Sequence, residues 1–158
     1  MDDNRYAPPK ASVADMAEGR SAPALWNPNA AASWSLLFSP AFGAILQMKN
    51  WQRLGEPAKA TTSKAWAIVS LAVLVLVLIA SILLPDSKAL DGVTRIVALG
   101  MLFGWYFSIG RQQASYVQAR FGKSYPRRGW TKPLLLALLA FVAFMVVAVV
   151  IALVVAPA

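Results

Sequence analysis

Two rows of small residues have the spacing most suited to a task. Gly100, Gly104 and Ser108 recur every fourth position, and so do Ser35, Ser39 and Gly43, with Gln47 continuing the second row. On a helix that spacing places side chains on one face. A face of small residues lets a second backbone approach closely, and its hydroxyls can bond across the gap. Ser35, Ser39, Gly43, Gly100, Gly104 and Ser108 are therefore candidate helix-packing residues, within the chain, in a homo-oligomer or against another membrane protein. The second group is basic. Residues 111–132 carry Arg111, Arg120, Lys123, Arg127, Arg128 and Lys132 without an acid. A Lys or Arg beside an anionic membrane surface contributes about 1 kcal/mol. Arg120, Lys123, Arg127, Arg128 and Lys132 are candidate contacts for anionic lipid headgroups, with Tyr116, Val117 and Phe121 able to dip into the interface.

Bond-making chemistry is not expected. The chain has no cysteine and no histidine, so disulfides, thiolate nucleophiles, imidazole bases and imidazole metal sites are absent. Its serines lack the usual base, and no lysine lies inside an apolar run to replace it. No phosphate loop, zinc motif or nucleophile elbow is present. We expect no enzyme, no cofactor and no metal. The formal net charge of +8 would suit nucleic acid, but the basic residues flank hydrophobic runs and read as membrane-topology anchors. Arg95 sits near the start of an apolar run with Asp91 one turn earlier, where its long side chain can snorkel to water. Phe103, Trp105, Tyr106 and Phe107 form an aromatic cluster expected to serve packing.

The elements that must position these residues are apolar helices. Leu134 to Ala156 carries no polar side chain, and Ala65 to Leu84 is interrupted only by Ser70 and Ser81. At 1.5 Å per residue the first of these covers about 34 Å, enough for a hydrocarbon core of about 30 Å. The expected fold is all-α and integral to a membrane, with four transmembrane helices at about 31–49, 65–84, 93–110 and 133–156. The first is kinked at Pro40, a re-entrant segment being the alternative. Residues 31–158 form the helical membrane domain. Residues 1–30, rich in Pro, Ala and Asp, read as a disordered tail, without the apolar core of a signal peptide. Residues 111–122 have the pattern of a short amphipathic helix ended by Gly122.

Orientation follows from Lys and Arg. Residues 49–64 carry Lys49, Arg53, Lys59 and Lys64 against Glu56, whereas residues 85–95 are balanced. The linkers 50–64 and 111–132 are thus expected in the cytoplasm and the 85–92 turn in the periplasm. Trp51, Trp66 and Trp130 then fall at the cytoplasmic interface and Trp34 at the opposite one. Gly55 should end the first helix in a left-handed conformation, with Lys49 and Arg53 near its negative end.

Two stretches carry a resemblance. The opening NRYAPPKASVAD resembles the Asn-x-Tyr-x-x-Pro-x-Ala-x-Val start of many small proteobacterial multi-pass membrane proteins, with Arg5 where Pro is commoner. WSLLFSPAFGAILQMKNWQRLGEPAKA resembles the first helix of such proteins, followed by an Asn-aromatic-x-x-Leu-Gly turn, here Asn50, Trp51, Leu54 and Gly55. The resemblance implies a bacterial inner membrane and a first segment that spans it, and supplies no activity and no catalytic residues. The expected role is a non-enzymatic accessory, scaffold or interaction subunit in the lipid bilayer. The alternatives are an immunity-type protein against a membrane-active toxin, and a minimal transporter or channel. The last needs water-accessible polar groups at mid-membrane, for which Ser39, Ser108 and Gln47 are the candidates. No carboxylate lies inside an apolar run to carry a coupled proton.

Overall fold

The computed structural model describes residues 22–85 and 87–155. Among them the regular structure is helical: α1 (Pro28–Phe38), α2 (Pro40–Leu54), α3 (Pro57–Leu83), α4 (Lys88–Trp105), a π-helical turn (Tyr106–Gly110), α5 (Arg111–Phe121) and α6 (Thr131–Val155). Proline opens each of the first three helices, where its missing N–H is no loss and its fixed φ suits the first turn. Asn27 caps α1 by accepting from the N–H groups of Asn29 and Ala30. Ser87 caps α4 through Leu90 N–H at 3.2 Å. Gly55 closes α2 at φ 74°, donating to Gln52 O while Glu56 N–H donates to Trp51 O.

Three helices are long and apolar enough to cross a membrane: α3, the continuous helix from Lys88 to Phe121, and α6. The segment expected to supply a fourth, kinked span folds differently. At Ser39, with φ 152°, the chain reverses, and α1 and α2 lie side by side as an antiparallel hairpin. Trp26 meets Asn50, Ala31 packs near Leu46, and Ser35 faces Gly43. The arms, of 11 and 15 residues, extend about 16 and 22 Å. Pro40 does not kink a long helix. It begins a new one.

The hairpin packs most extensively through α2 on α3. The buried residues of α3 are Ala60, Ser63, Ala67 and Ser70, a small-residue face at spacings of three and four. Trp105, fully buried, fills the space beside Gly43 and Ala44 and packs with Ala67 and Ile109. A second cluster joins Leu25, Val117 and Tyr125. Residues 22–30, expected to belong to the tail, are thus partly core. Leu25 pairs with the 126–128 segment through Leu25 N–H to Pro126 O at 3.0 Å and Arg128 N–H to Leu25 O at 2.9 Å. Buried Leu25 and Trp26, with the hydrogen bonds their backbones make, hold a stretch whose composition reads as unstructured. The rest of the expected tail, residues 1–21, lies outside the described residues.

The core sits at the end of the molecule that carries the basic linkers. We call this end the base. Towards the opposite end the helices separate, and from Leu134 to Val154 no α6 residue is buried.

Candidate functional site

Three primary amides hold the base together. Asn50 clasps the Trp26 backbone from both sides: Trp26 N–H donates to Asn50 Oδ1 at 3.1 Å, and Asn50 Nδ2 donates to Trp26 O at 2.9 Å. Asn50 Nδ2 also donates to Gln113 Oε1 at 3.0 Å, and Gln113 Nε2 donates to Gln47 O at 2.9 Å. Gln47 Nε2 donates to Gly110 O at 3.2 Å. All three side chains are fully buried. Gly110 is the last residue of the π-helical turn, after which Arg111 N–H bonds Tyr106 O five residues back. A side chain on α2 reaches the Gly110 carbonyl. The amides therefore fasten the start of the hairpin, its return arm and the α4–α5 junction to one another. Gln47 Oε1 and the Trp105 indole N–H have no partner among the described residues.

A charged cluster lies beside them. Lys59 Nζ sits 4.8 Å from the Trp51 ring centroid and 4.5 Å from that of Tyr116, while bridging to Glu56 at 3.3 Å. Tyr116 O–H donates to Glu56 Oε1 at 2.9 Å and accepts from Arg120 Nη1 at 2.6 Å. The Tyr116 hydroxyl first, then Lys59, holds the Glu56 carboxyl below its ordinary value. Burial pushes the Tyr125 phenol up. Arg128 stacks its guanidinium carbon 3.9 Å from the Trp26 centroid, and the Trp26 indole donates to Gly129 O at 3.1 Å. Burial, and then the charge of Arg53, lowers the pKa of Arg128.

The residues singled out by spacing separate into distinct places. Ser35 and Gly43 face each other across the hairpin, and a methyl added to Gly43 would collide with Ser35 Oγ and with the Trp105 ring. Ser39 is the reversal point, so Ser35, Ser39 and Gly43 do not share a face of one helix. Ser35 Oγ donates to Ala31 O in its own helix. Gly100, Gly104 and Ser108 do share a face, and that face is exposed. A Cβ at Gly100 meets nothing, and one at Gly104 only touches Trp66 at 3.4 Å. Ser108 Oγ donates to Trp105 O. Among the basic candidates, Arg120 is engaged with Tyr116 and Arg128 with Trp26, while Lys123, Arg127 and Lys132 are exposed. Arg127 lies 5.8 Å from the Tyr125 centroid. Arg95 is exposed and makes no ion pair among the described residues.

Sequence reasoning missed the Asn50–Gln113–Gln47 network and the α3 face Ala60, Ser63, Ala67, Ser70. The second was readable from small residues at helical spacing. The first was not, because its members are 63 and 66 residues apart. An apolar groove of about 290 Å³ lies above the hairpin tip, lined by residues that include Ser39, Ser70, Val77 and Thr94. No protein-family model, curated protein or solved structure matches the chain.

Proposed function

We propose that this protein is a non-enzymatic interaction subunit of a bacterial inner membrane, and that the α4 face of Gly100, Gly104 and Ser108 is its docking stripe. The observation that carries this reading is the direction of the stripe. Small residues in apolar helices usually serve the nearest helix of the same chain, but here the face is exposed while another small-residue face, on α3, takes up the hairpin. Flanking Phe103 and Phe107 are exposed too, with ring centroids 6.3 Å apart. A helix from a second copy or from another membrane protein would find a smooth channel edged by aromatic rings, the geometry that favours close helix association in lipid.

In the bilayer, α3, α4 and α6 span and the α1–α2 hairpin is re-entrant. Its arms are too short to cross a hydrocarbon core of about 30 Å. Both ends of the hairpin then face the cytoplasm with the basic linkers, as does the chain entering it at residues 22–27. Trp34 would lie within the membrane rather than at the far interface. Hairpin backbone at that depth is tolerated because it is packed against protein.

Cross-linking tests the stripe, and the absence of native cysteine keeps it clean. A single Ser108→Cys in native membranes should form one defined adduct, and adding Gly104→Leu should abolish it while the melting temperature stays within a few degrees. No adduct at Ser108, or an adduct indifferent to Gly104→Leu, contradicts the reading.

A further inference from the structure

The geometry points to a phospholipid-phosphate clamp on the base, made by Arg128 and Arg53 and walled by Trp26. Arg128 is held in place. Its guanidinium lies 3.9 Å from the Trp26 ring centroid, that ring is fixed by its own bond to Gly129 O, and the Trp26 backbone is fixed by Asn50. Arg53 follows Asn50 by three positions on α2, one helical turn beyond the residue that holds the Trp26 backbone. Its charge already weighs on Arg128.

Two guanidinium groups brought together without an acid repel each other until an anion joins them. Among the described residues the acids are Glu56 and Asp91. Glu56 is taken by Lys59 and Tyr116, and Asp91 lies in the first turn of α4, at the other end of the molecule. A planar guanidinium on an aromatic wall keeps its fork of N–H donors free for a phosphate, and it does so better than a lysine because the fork matches two oxygens at once.

The depth of the site selects a lipid as the source. Trp26 clusters with Ala31 and Leu46, with Phe42 and Trp130 packed against them, at the point where the apolar arms of the hairpin give way to basic linkers. Trp130 immediately precedes α6. A phosphate held there has its acyl chains alongside the apolar hairpin and α6, where hydrocarbon already is. The clamp differs from a general basic surface in that Arg53 belongs to it and Arg120, committed to Tyr116, does not.

The full-length protein in nanodiscs of phosphatidylcholine with a minor fraction of phosphatidylglycerol tests this by native mass spectrometry of the ejected protein. The wild type should retain phosphatidylglycerol in preference to phosphatidylcholine. Arg53→Gln and Arg128→Gln should each lower that preference about fivefold, and the pair about thirtyfold. Arg128→Lys, which keeps the charge but loses the fork, should fall between the wild type and Arg128→Gln, and Lys88→Gln, at the opposite end, should change nothing. Arg53 is exposed and leaves the Trp26 stack intact, so its variant remains informative if Arg128→Gln is unstable. Undiminished preference in Arg53→Gln overturns the clamp. So does release of phosphatidylglycerol by millimolar inorganic phosphate, which would make it a soluble-phosphate site.

Discussion

Asn50 is the residue on which most of the base depends. Its side chain answers a buried backbone N–H, a buried carbonyl and a glutamine at once. Asn50→Leu would leave the Trp26 backbone and Gln113 without those partners. Unsatisfied buried groups cost about 1–3 kcal/mol each, so we expect a loss of about 3 kcal/mol, read as a large fall in melting temperature in detergent with Trp26 becoming accessible to quenchers. Gly43 should be nearly as sensitive. Gly43→Ala meets Ser35 and Trp105 and should cost about 1–3 kcal/mol, whereas Gly100→Ala should be silent. Ser39 points the other way. It holds a φ of 152° that suits glycine, so Ser39→Gly should leave stability equal or raise it by about 1 kcal/mol, and a clear loss would mean that the hydroxyl matters at the turn. These contrasts show what the sequence could convey. Small residues at a spacing of four announced close approach, but not which chain segment approaches. Gly43 serves its own hairpin, while Gly104, of the same residue type and spacing, faces outward.

At the scale of elements, most helices were legible. Apolar length revealed α3 and α6, and the Lys and Arg counts marked the basic linkers. Gly55 was readable as a left-handed cap because an apolar helix and a basic turn precede it. The hairpin was not legible as such. A proline after a run of eleven helical residues fits both a kink in a long helix and the first residue of a new one, since Pro suits the first turn as well as it disrupts an interior. What decides is the Asn50–Trp26 clasp and the fit of Gly43 to Ser35, which are tertiary. The α4–α5 continuity was likewise hidden. The π-helical turn lets one helix of 34 residues run from the membrane into the base, where composition alone suggested a stop near Gly110. Replacing Gln113 by Leu should loosen α5 from α2 without affecting α6, visible as faster hydrogen exchange across 111–121 only.

At the scale of the molecule, the base is tightly packed and the far halves of the helices are not. Its surface charge is unevenly distributed, and the one described ion pair joins Lys59 to Glu56. Because the Glu56 carboxyl is held below its usual value of 4.5, its contribution is full above about that pH and fades as the pH falls through the lowered folded value. The melting temperature should therefore drop on acidification into that range, and Glu56→Gln should flatten the response; an unaltered slope would remove Glu56 from the account. The larger claim is that residues 28–54 enter and leave the membrane on one side. Single cysteines at Ala24 and Ser124, probed with a membrane-impermeant maleimide, test it most directly. Both Ala24→Cys and Ser124→Cys should label in inverted vesicles and stay protected in intact cells. Labelling of Ala24→Cys from the outside, with Ser124→Cys labelled from the inside, would show that the segment spans the membrane and would contradict the hairpin.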